Sequence, residues 1–180
     1  MIPRFLDETK SLSTELNHFA LFANRRGIRM PKRQREVFLT TLLSDLLSQY
    51  PQWRVDDHCK IEWMGQPKNM WPEADLLIDT ATRRFIVEYD EDSDPSRSLT
   101  KYWPIVHQTN QVPLTVIEVW KRGPTIGRGY AEVTKWMAAR LMELYPTFVY
   151  EFIERKDETT RIIAKRIARI VEAGYLRQSE

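Results

Sequence analysis

The stretch that decides the fold runs from Trp71 to Lys101 and reads WPEADLLIDTATRRFIVEYDEDSDPSRSLTK. Two apolar runs of strand length, Leu76 to Ile78 and Phe85 to Val87, are joined by a short polar turn, which predicts a β-hairpin. Asp75 begins the first run, and Glu88 follows the second. A hairpin brings the start of one strand beside the end of the next, so we expect these carboxylates to converge.

A third acid, Asp90, shares a face of the second strand with Glu88. Side chains of a strand repeat every second residue, so these two project from one face while Val87 and Tyr89 project from the other. Hard carboxylate oxygens favour Mg²⁺, Mn²⁺ or Ca²⁺, and a cation so held can activate water for phosphodiester hydrolysis. The pattern therefore predicts a divalent-cation site. The alternative is a set of surface ion pairs with nearby basic residues, which are Arg83, Arg84, Arg97 and Lys101.

Composition restricts the class of protein. The chain has 180 residues and 42% hydrophobic content, enough for one core, so we predict a single domain over residues 1–180. Its formal net charge of +2 gives little support for a nucleic-acid partner except where basic residues cluster. The single cysteine excludes an intrachain disulfide, and no apolar run is long enough to cross a bilayer. These features predict a soluble, cytoplasmic protein without a membrane partner.

The apolar periodicity of the whole chain predicts a mixed α/β protein. Helical spacing occurs over residues 6–26, 32–50, 95–106, 130–145 and 157–176, and strands are expected at about 57–63, 74–79, 84–91, 113–120 and 147–154. We expect the helix over 130–145 to pack through Val133, Trp136, Met137 and Leu141. This order predicts a central mixed β-sheet flanked by helices, with a core of about 32–154 and additional N- and C-terminal helices.

The order of acids and elements resembles the PD-(D/E)XK nuclease superfamily, which has the restriction-endonuclease-like fold. In that family the first acid often follows a proline. The sequence Pro72-Glu73-Ala74-Asp75 matches this pattern, best at Asp75 and more weakly at Glu73. Glu88 matches the second acid, and Tyr89 is the intervening residue whose carbonyl commonly faces the metal.

The departure from the family pattern concerns its lysine. Asp90 stands where that lysine is expected, but some members place the lysine on the following helix, where this chain has Lys101. A glutamate on the first core helix also recurs in the superfamily. Glu36 resembles it and would hold a second metal ion through water.

The resemblance implies a Mg²⁺- or Mn²⁺-dependent endonuclease that hydrolyses DNA by in-line attack of water. Asp75 and Glu88 would bind the metal, Asp90 would assist it or orient water, and Lys101 would stabilise the developing charge. A double-strand cut would usually require two sites, which makes a homodimer an expected arrangement. The basic residues expected to contact backbone phosphates are Arg33, Arg35, Lys121, Arg122 and Arg128.

Two alternatives remain open on the same residues. Asp90 at the lysine position would mark a catalytically inactive nuclease-fold protein that binds nucleic acid or a protein partner. Alternatively, the chain is an assembly protein whose amphipathic C-terminal helix, over 157–176, docks another subunit. In that case Ile163 and Ile167 would belong to the interface.

Overall fold

A computed structural model describes residues 32–80, 82–91, 94–107, 113–123 and 126–176. This part of the chain forms four α-helices and five β-strands. In chain order they are α1 (Lys32–Gln49), β1 (Arg54–Lys60), β2 (Glu73–Asp79), β3 (Arg84–Glu91), α2 (Ser96–Val106), β4 (Leu114–Lys121), α3 (Arg128–Leu144), β5 (Phe148–Arg155) and α4 (Thr160–Leu176). The helix predicted over 6–26 lies outside the described residues.

The five strands form one mixed sheet in which the spatial order is the sequence order, β1-β2-β3-β4-β5. The first three strands are antiparallel neighbours, whereas β3, β4 and β5 run parallel. Parallel neighbours need a crossover connection, and α2 and α3 provide the two crossovers. The predicted hairpin and the central mixed sheet flanked by helices are therefore confirmed.

Two apolar layers cover the two faces of the sheet. On one face α1 and α4 pack together over β2, β3 and β4, and Leu42, Leu46, Ile163 and Ile167 are fully buried there. On the other face α2 and α3 pack over the same strands through residues such as Leu99, Tyr102 and Leu141.

The arrangement of α4 bears on the assembly hypothesis. The apolar face of this helix packs against the protein's own core, where Ile163 and Ile167 are both 0% exposed. These side chains are therefore not available to another subunit, and the interface expected at them is wrong.

Helix α3 packs through a different face from the one predicted. Val133 and Trp136 are 55% and 63% exposed, so their predicted role in the core is wrong, although Leu141 is buried as expected. The buried positions are Ala131, Thr134, Ala138 and Leu141. The small side chains among them allow the helix to lie close to the sheet, which leaves the larger side chains on the outer face.

One strand boundary also differs from the prediction. Strand β1 covers Arg54–Lys60 rather than 57–63, because its pairing with β2 ends where Lys60 meets Glu73. Ile61 is buried but lies beyond the strand, and its amide donates to the Pro72 carbonyl at 2.8 Å. Within the described ranges, no helix combines the length and apolar character that a bilayer crossing requires.

Candidate functional site

Three acidic residues lie in one row across adjacent strands. The antiparallel register pairs Leu76 with Val87, so the next position along the strands places Asp75 opposite Glu88. The parallel register of β3 and β4 then pairs Glu88 with Glu118. The exposed fractions of these residues are 6% for Asp75, 6% for Glu88 and 0% for Glu118. The hairpin pattern predicts the first two members of this row, and sequence reasoning missed the third.

Asp75 is bound by a guanidinium and by a backbone amide. Nη2 of Arg35, from α1, lies 2.6 Å from Oδ1 and 2.7 Å from Oδ2 of Asp75. The amide of Tyr89 donates to Oδ2 at 2.8 Å, so this residue contacts the first acid through its N–H group. Burial acts to lower the pKa of Arg35, but Asp75, Asp90 and Glu88 more than offset it, and the net pKa is raised. Arg35 is therefore a permanent counter-ion of this acidic cluster.

Glu88 is bound by two consecutive residues of α2. Lys101 Nζ lies 2.9 Å from both carboxylate oxygens, and the hydroxyl of Tyr102 donates to Oε1. Burial and then the neighbouring Asp75 raise the pKa of Glu88 to about 7, while Lys101 and Tyr102 act to lower it. The desolvation of Glu88 thus outweighs the attraction of its ammonium partner.

The position of α2 explains how Lys101 reaches the site. The Ser96 amide at the start of the helix donates to Oδ1 of Asp94 at 2.9 Å, so this side chain satisfies one of the free amides of the first turn. Leu99 and Tyr102 are buried against the sheet. Since Lys101 precedes Tyr102, its stem lies at the edge of the buried face, and its side chain remains 31% exposed.

The predicted residues meet in one cleft of about 550 Å³. Its lining includes Arg35, Asp75, Glu88, Asp90, Arg97 and Lys101. The structure therefore brings together four of the five residues expected to act in catalysis, and it adds two arginines at the same opening.

Glu36, the fifth of these residues, is exposed and lies in a different hollow. This second hollow, of about 230 Å³, is lined by Glu36, Asp57, His58 and Asp75 among others. Glu36 is thus near Asp75, as expected for an outer ligand, but it is separate from the cleft that holds Glu88.

The predicted phosphate contacts are only partly described. Arg35 is bound to Asp75, Lys121 Nζ lies 2.7 Å from Oε1 of Glu91, and Arg122 donates to the Ile126 carbonyl at 3.1 Å. Lys121 is the last residue of β4 and Arg122 follows it, so both lie close in sequence to Glu118 of the acidic row. The side chains of Arg33 and Arg128 lie outside the described part of the structure.

Glu118 differs from the other acids of the row because neither carboxylate oxygen has a hydrogen-bond partner among the described residues. Burial and then the charge of Asp90 raise its pKa well above the usual range. Ser98 lies close enough to Glu118 to lower the pKa of this acid. The Ser98 hydroxyl, however, donates to the Pro95 carbonyl at 3.1 Å. The sequence signal was a single acid inside the apolar run PLTVIEVW.

The carboxylates of the cleft are suitable ligands for a hard cation, but they are not arranged around a common point where a cation would bind. In the part of the chain that the structure describes, no three His, Cys, Asp or Glu side chains are grouped so that they could hold a metal ion. The carboxylate oxygens of Asp75 and Glu88 are of the type that Mg²⁺ and Mn²⁺ prefer, and they are engaged by Arg35 and Lys101. A cation at these oxygens would therefore compete with the two basic side chains.

Comparison of the sequence with models of protein families and with curated proteins, and of the structure with solved structures, gave no match. The fold is that of an α/β protein with a five-stranded mixed sheet. The contacts in the acidic cleft are therefore the basis for assigning a function.

Proposed function

We propose that the protein is a divalent-metal-dependent nuclease that hydrolyses phosphodiester bonds in DNA. The observation that supports this function is the meeting of two buried acids, Asp75 and Glu88, with Lys101 from the next helix. Two carboxylates and a lysine are the groups that the PD-(D/E)XK resemblance requires. The chain supplies the lysine from α2, while Asp90 occupies its usual position on the strand. On this proposal, the sheet with α1 and α2 is a restriction-endonuclease-like core.

Each side chain of the cleft has a distinct role in this function. Asp75 and Glu88 would hold Mg²⁺ or Mn²⁺, with the Tyr89 carbonyl as a further oxygen donor. A metal held there would supply activation of water and stabilisation of charge on the phosphate. Lys101, once its contact with Glu88 is relaxed, offers an ammonium group to a phosphate oxygen. Asp90 orients the attacking water from the same face of β3.

The arginines of the cleft favour a phosphate-bearing substrate. Arg35 uses one nitrogen, Nη2, for both contacts with Asp75, and its guanidinium has further N–H groups that can donate to a phosphate. Arg97 is exposed and lines the same opening. Guanidinium groups bind phosphate oxygens through charge-assisted hydrogen bonds, which hold a DNA backbone in register without reading its sequence.

A specific observation also favours a second function, nucleic-acid binding without cleavage. Asp75 and Glu88 are each satisfied by a basic side chain at 2.6–2.9 Å, so both acids are neutralised from within the protein. A nuclease scaffold that has lost catalysis would retain such closed ion pairs. The two functions differ in whether metal ions produce cleavage.

Incubation with supercoiled plasmid in Mg²⁺ or Mn²⁺ tests the proposal. We expect nicked circles from the wild type and none from the double variant Asp75→Ala/Glu88→Ala. A matched control, Asp56→Ala/Glu132→Ala, removes two exposed acids, with side chains 41% and 73% exposed, and should cut like the wild type. If the folded wild type cuts no DNA or RNA form but binds DNA in EDTA with a steep salt dependence, the binding function replaces the nuclease.

A further inference from the structure

Glu118 is a buried carboxylate, and the hydroxyl of the nearby Ser98 donates to the Pro95 carbonyl rather than to it. The residue is 0% exposed, and neither oxygen has a hydrogen-bond partner within the described ranges. Burying a carboxylate without a compensating partner costs several kcal/mol, so in natural proteins such groups are paired, bind a cation or hold a proton. This side chain lies in the middle of the sheet, next to the proposed active site.

The direction of Glu118 is set by the sheet register. It lies opposite Glu88 on the neighbouring strand, and the side chains of such a pair project from the same face. Ser98, which is close to the carboxylate of Glu118, also lines the cleft. Asp90 and then Glu88 are the charges that contribute most to raising its pKa. The carboxylate therefore lies on the side of the sheet that carries the acidic cleft, beneath the residues that line it.

Charge balance shows why this acid matters for a cation. Asp75 is neutralised by Arg35, and Glu88 is neutralised by Lys101, so these two pairs together carry no net charge. A divalent cation that approaches them gains little attraction unless another carboxylate contributes. Burial and Asp90 raise the pKa of Glu118, so a cation that binds there displaces the proton of this acid. The carboxylate formed is buried, and its attraction for the cation is screened less than that of an exposed acid.

We propose that Glu118 is a carboxylate of the cation site and determines the affinity of the cleft for Mg²⁺ or Mn²⁺. The inference rests on the nuclease function proposed above. Because no ready group of three ligand side chains is present in the described structure, cation binding requires side chains of the cleft to move. Release of Glu88 by Lys101 is the movement that would open the space between Glu88 and Glu118.

Titration with Mn²⁺ alone, followed by calorimetry and by the manganese paramagnetic resonance signal, tests this inference without measuring activity. The variant Glu118→Gln keeps the shape of the side chain and removes its charge. We expect it to bind Mn²⁺ at least tenfold more weakly than the wild type, while its Tm in EDTA is unchanged or higher. Glu132→Gln, at an exposed position of α3, should bind like the wild type.

The outcomes separate this inference from the nuclease proposal. If Glu118→Gln binds Mn²⁺ as tightly as the wild type, Glu118 is only a neutral buried acid and the inference is overturned, while the nuclease proposal stands. If the wild type itself binds no Mn²⁺, both are overturned. Glu118→Met, an apolar side chain of similar length, is the second variant. If Glu118→Gln does not fold, the Mn²⁺ affinity of Glu118→Met is measured instead, and we expect the same loss of at least tenfold.

Discussion

Lys101 Nζ lies 2.9 Å from both carboxylate oxygens of Glu88, although the two residues belong to a helix and a strand separated by a loop. The contact brings an ammonium group from the helix to the row of acids on the strands. Glu88 nevertheless keeps a pKa raised to about 7, because burial and Asp75 outweigh the ammonium. Lys101 therefore offsets only part of the cost of burying Glu88.

Replacement of Lys101 by methionine should separate cation binding from cleavage. We expect plasmid cleavage to fall by about 10²–10³-fold, the loss found when one group that stabilises transition-state charge is removed. Mn²⁺ affinity should stay the same or rise, since a competing ammonium has been removed from Glu88. Lys135→Met removes a lysine that pairs with the exposed Glu132 and should leave both measurements unchanged. Unaltered cleavage by Lys101→Met would remove this residue from the proposed mechanism.

The metal-free protein should lose stability as pH rises from 5 to 8. Glu88 has an ordinary pKa of 4.5 and a folded-state pKa of about 7, so the folded state holds more protons between these values. Its contribution to the free energy of unfolding is fully present below pH 4.5 and is lost as pH rises through about 7. One pKa unit corresponds to about 1.4 kcal/mol, so the contribution is of the order of 3 kcal/mol.

Urea denaturation in EDTA at pH 5 and pH 8 measures this effect. In Glu88→Gln the difference between the two pH values should shrink, though not vanish, because Glu118 also has a raised pKa and acts in the same direction. Glu132→Gln, whose side chain is 73% exposed, should retain the wild-type difference. A pH difference that is the same in Glu88→Gln and in the wild type would show that Glu88 titrates normally in the folded protein.

The ion pair between Arg35 and Asp75 should be worth more than an exposed pair of the same type. Arg35→Met leaves the buried Asp75 with the Tyr89 amide as its one remaining donor among the described residues, and we expect a loss of about 1–3 kcal/mol in the free energy of unfolding at pH 7. Arg54→Met breaks a pair with Asp56 in which the arginine side chain is 77% exposed. That control should change stability by less than about 1 kcal/mol. Equal losses in the two variants would contradict the buried character of the Asp75 pair.

The sequence predicts most strands and helices correctly because their signals are local. Alternation and apolar runs locate β3 and β4, and the pairing of Asp94 with Ser96 at the start of α2 follows from short-range preferences. The convergence of Asp75 and Glu88 is equally local, since a hairpin aligns the two positions.

The parts that the sequence does not predict depend on contacts between distant segments. Glu118 joins the acidic row only because β4 is the parallel neighbour of β3, a relation that no periodicity within β4 reveals. The face of α3 was assigned from its large apolar residues. Packing instead buries the small side chains of Ala131 and Ala138 and exposes Trp136.

Two substitutions test the observed face of α3. Leu141 is 3% exposed, so Leu141→Ala should lower the free energy of unfolding by about 2–5 kcal/mol, as expected for truncation of a buried side chain. Trp136 is 63% exposed, and Trp136→Ala should change it by at most about 0.5 kcal/mol. Urea denaturation at one pH is sufficient for the comparison. A larger loss for Trp136→Ala than for Leu141→Ala would favour the helix face expected from the sequence.

The close approach of α4 to β3 gives a prediction about a glycine. A Cβ atom added at Gly174 would lie 2.9 Å from Cζ of Phe85, and this ring is only 1% exposed and has little room to move. In an open helix, glycine to alanine gains about 1 kcal/mol, but overpacking a filled core costs about 1–3 kcal/mol. We therefore expect Gly174→Ala to lower Tm.

Gly129, in the first turn of α3, is the matched control for this substitution. A Cβ atom there meets no atom within 4 Å, so Gly129→Ala should leave Tm unchanged or raise it. The two variants carry the same chemical change, and only the environment of the added methyl group differs. A rise in Tm for both would mean that the Phe85 ring yields to the methyl group, and that α4 packs less tightly on the sheet than the 2.9 Å separation indicates.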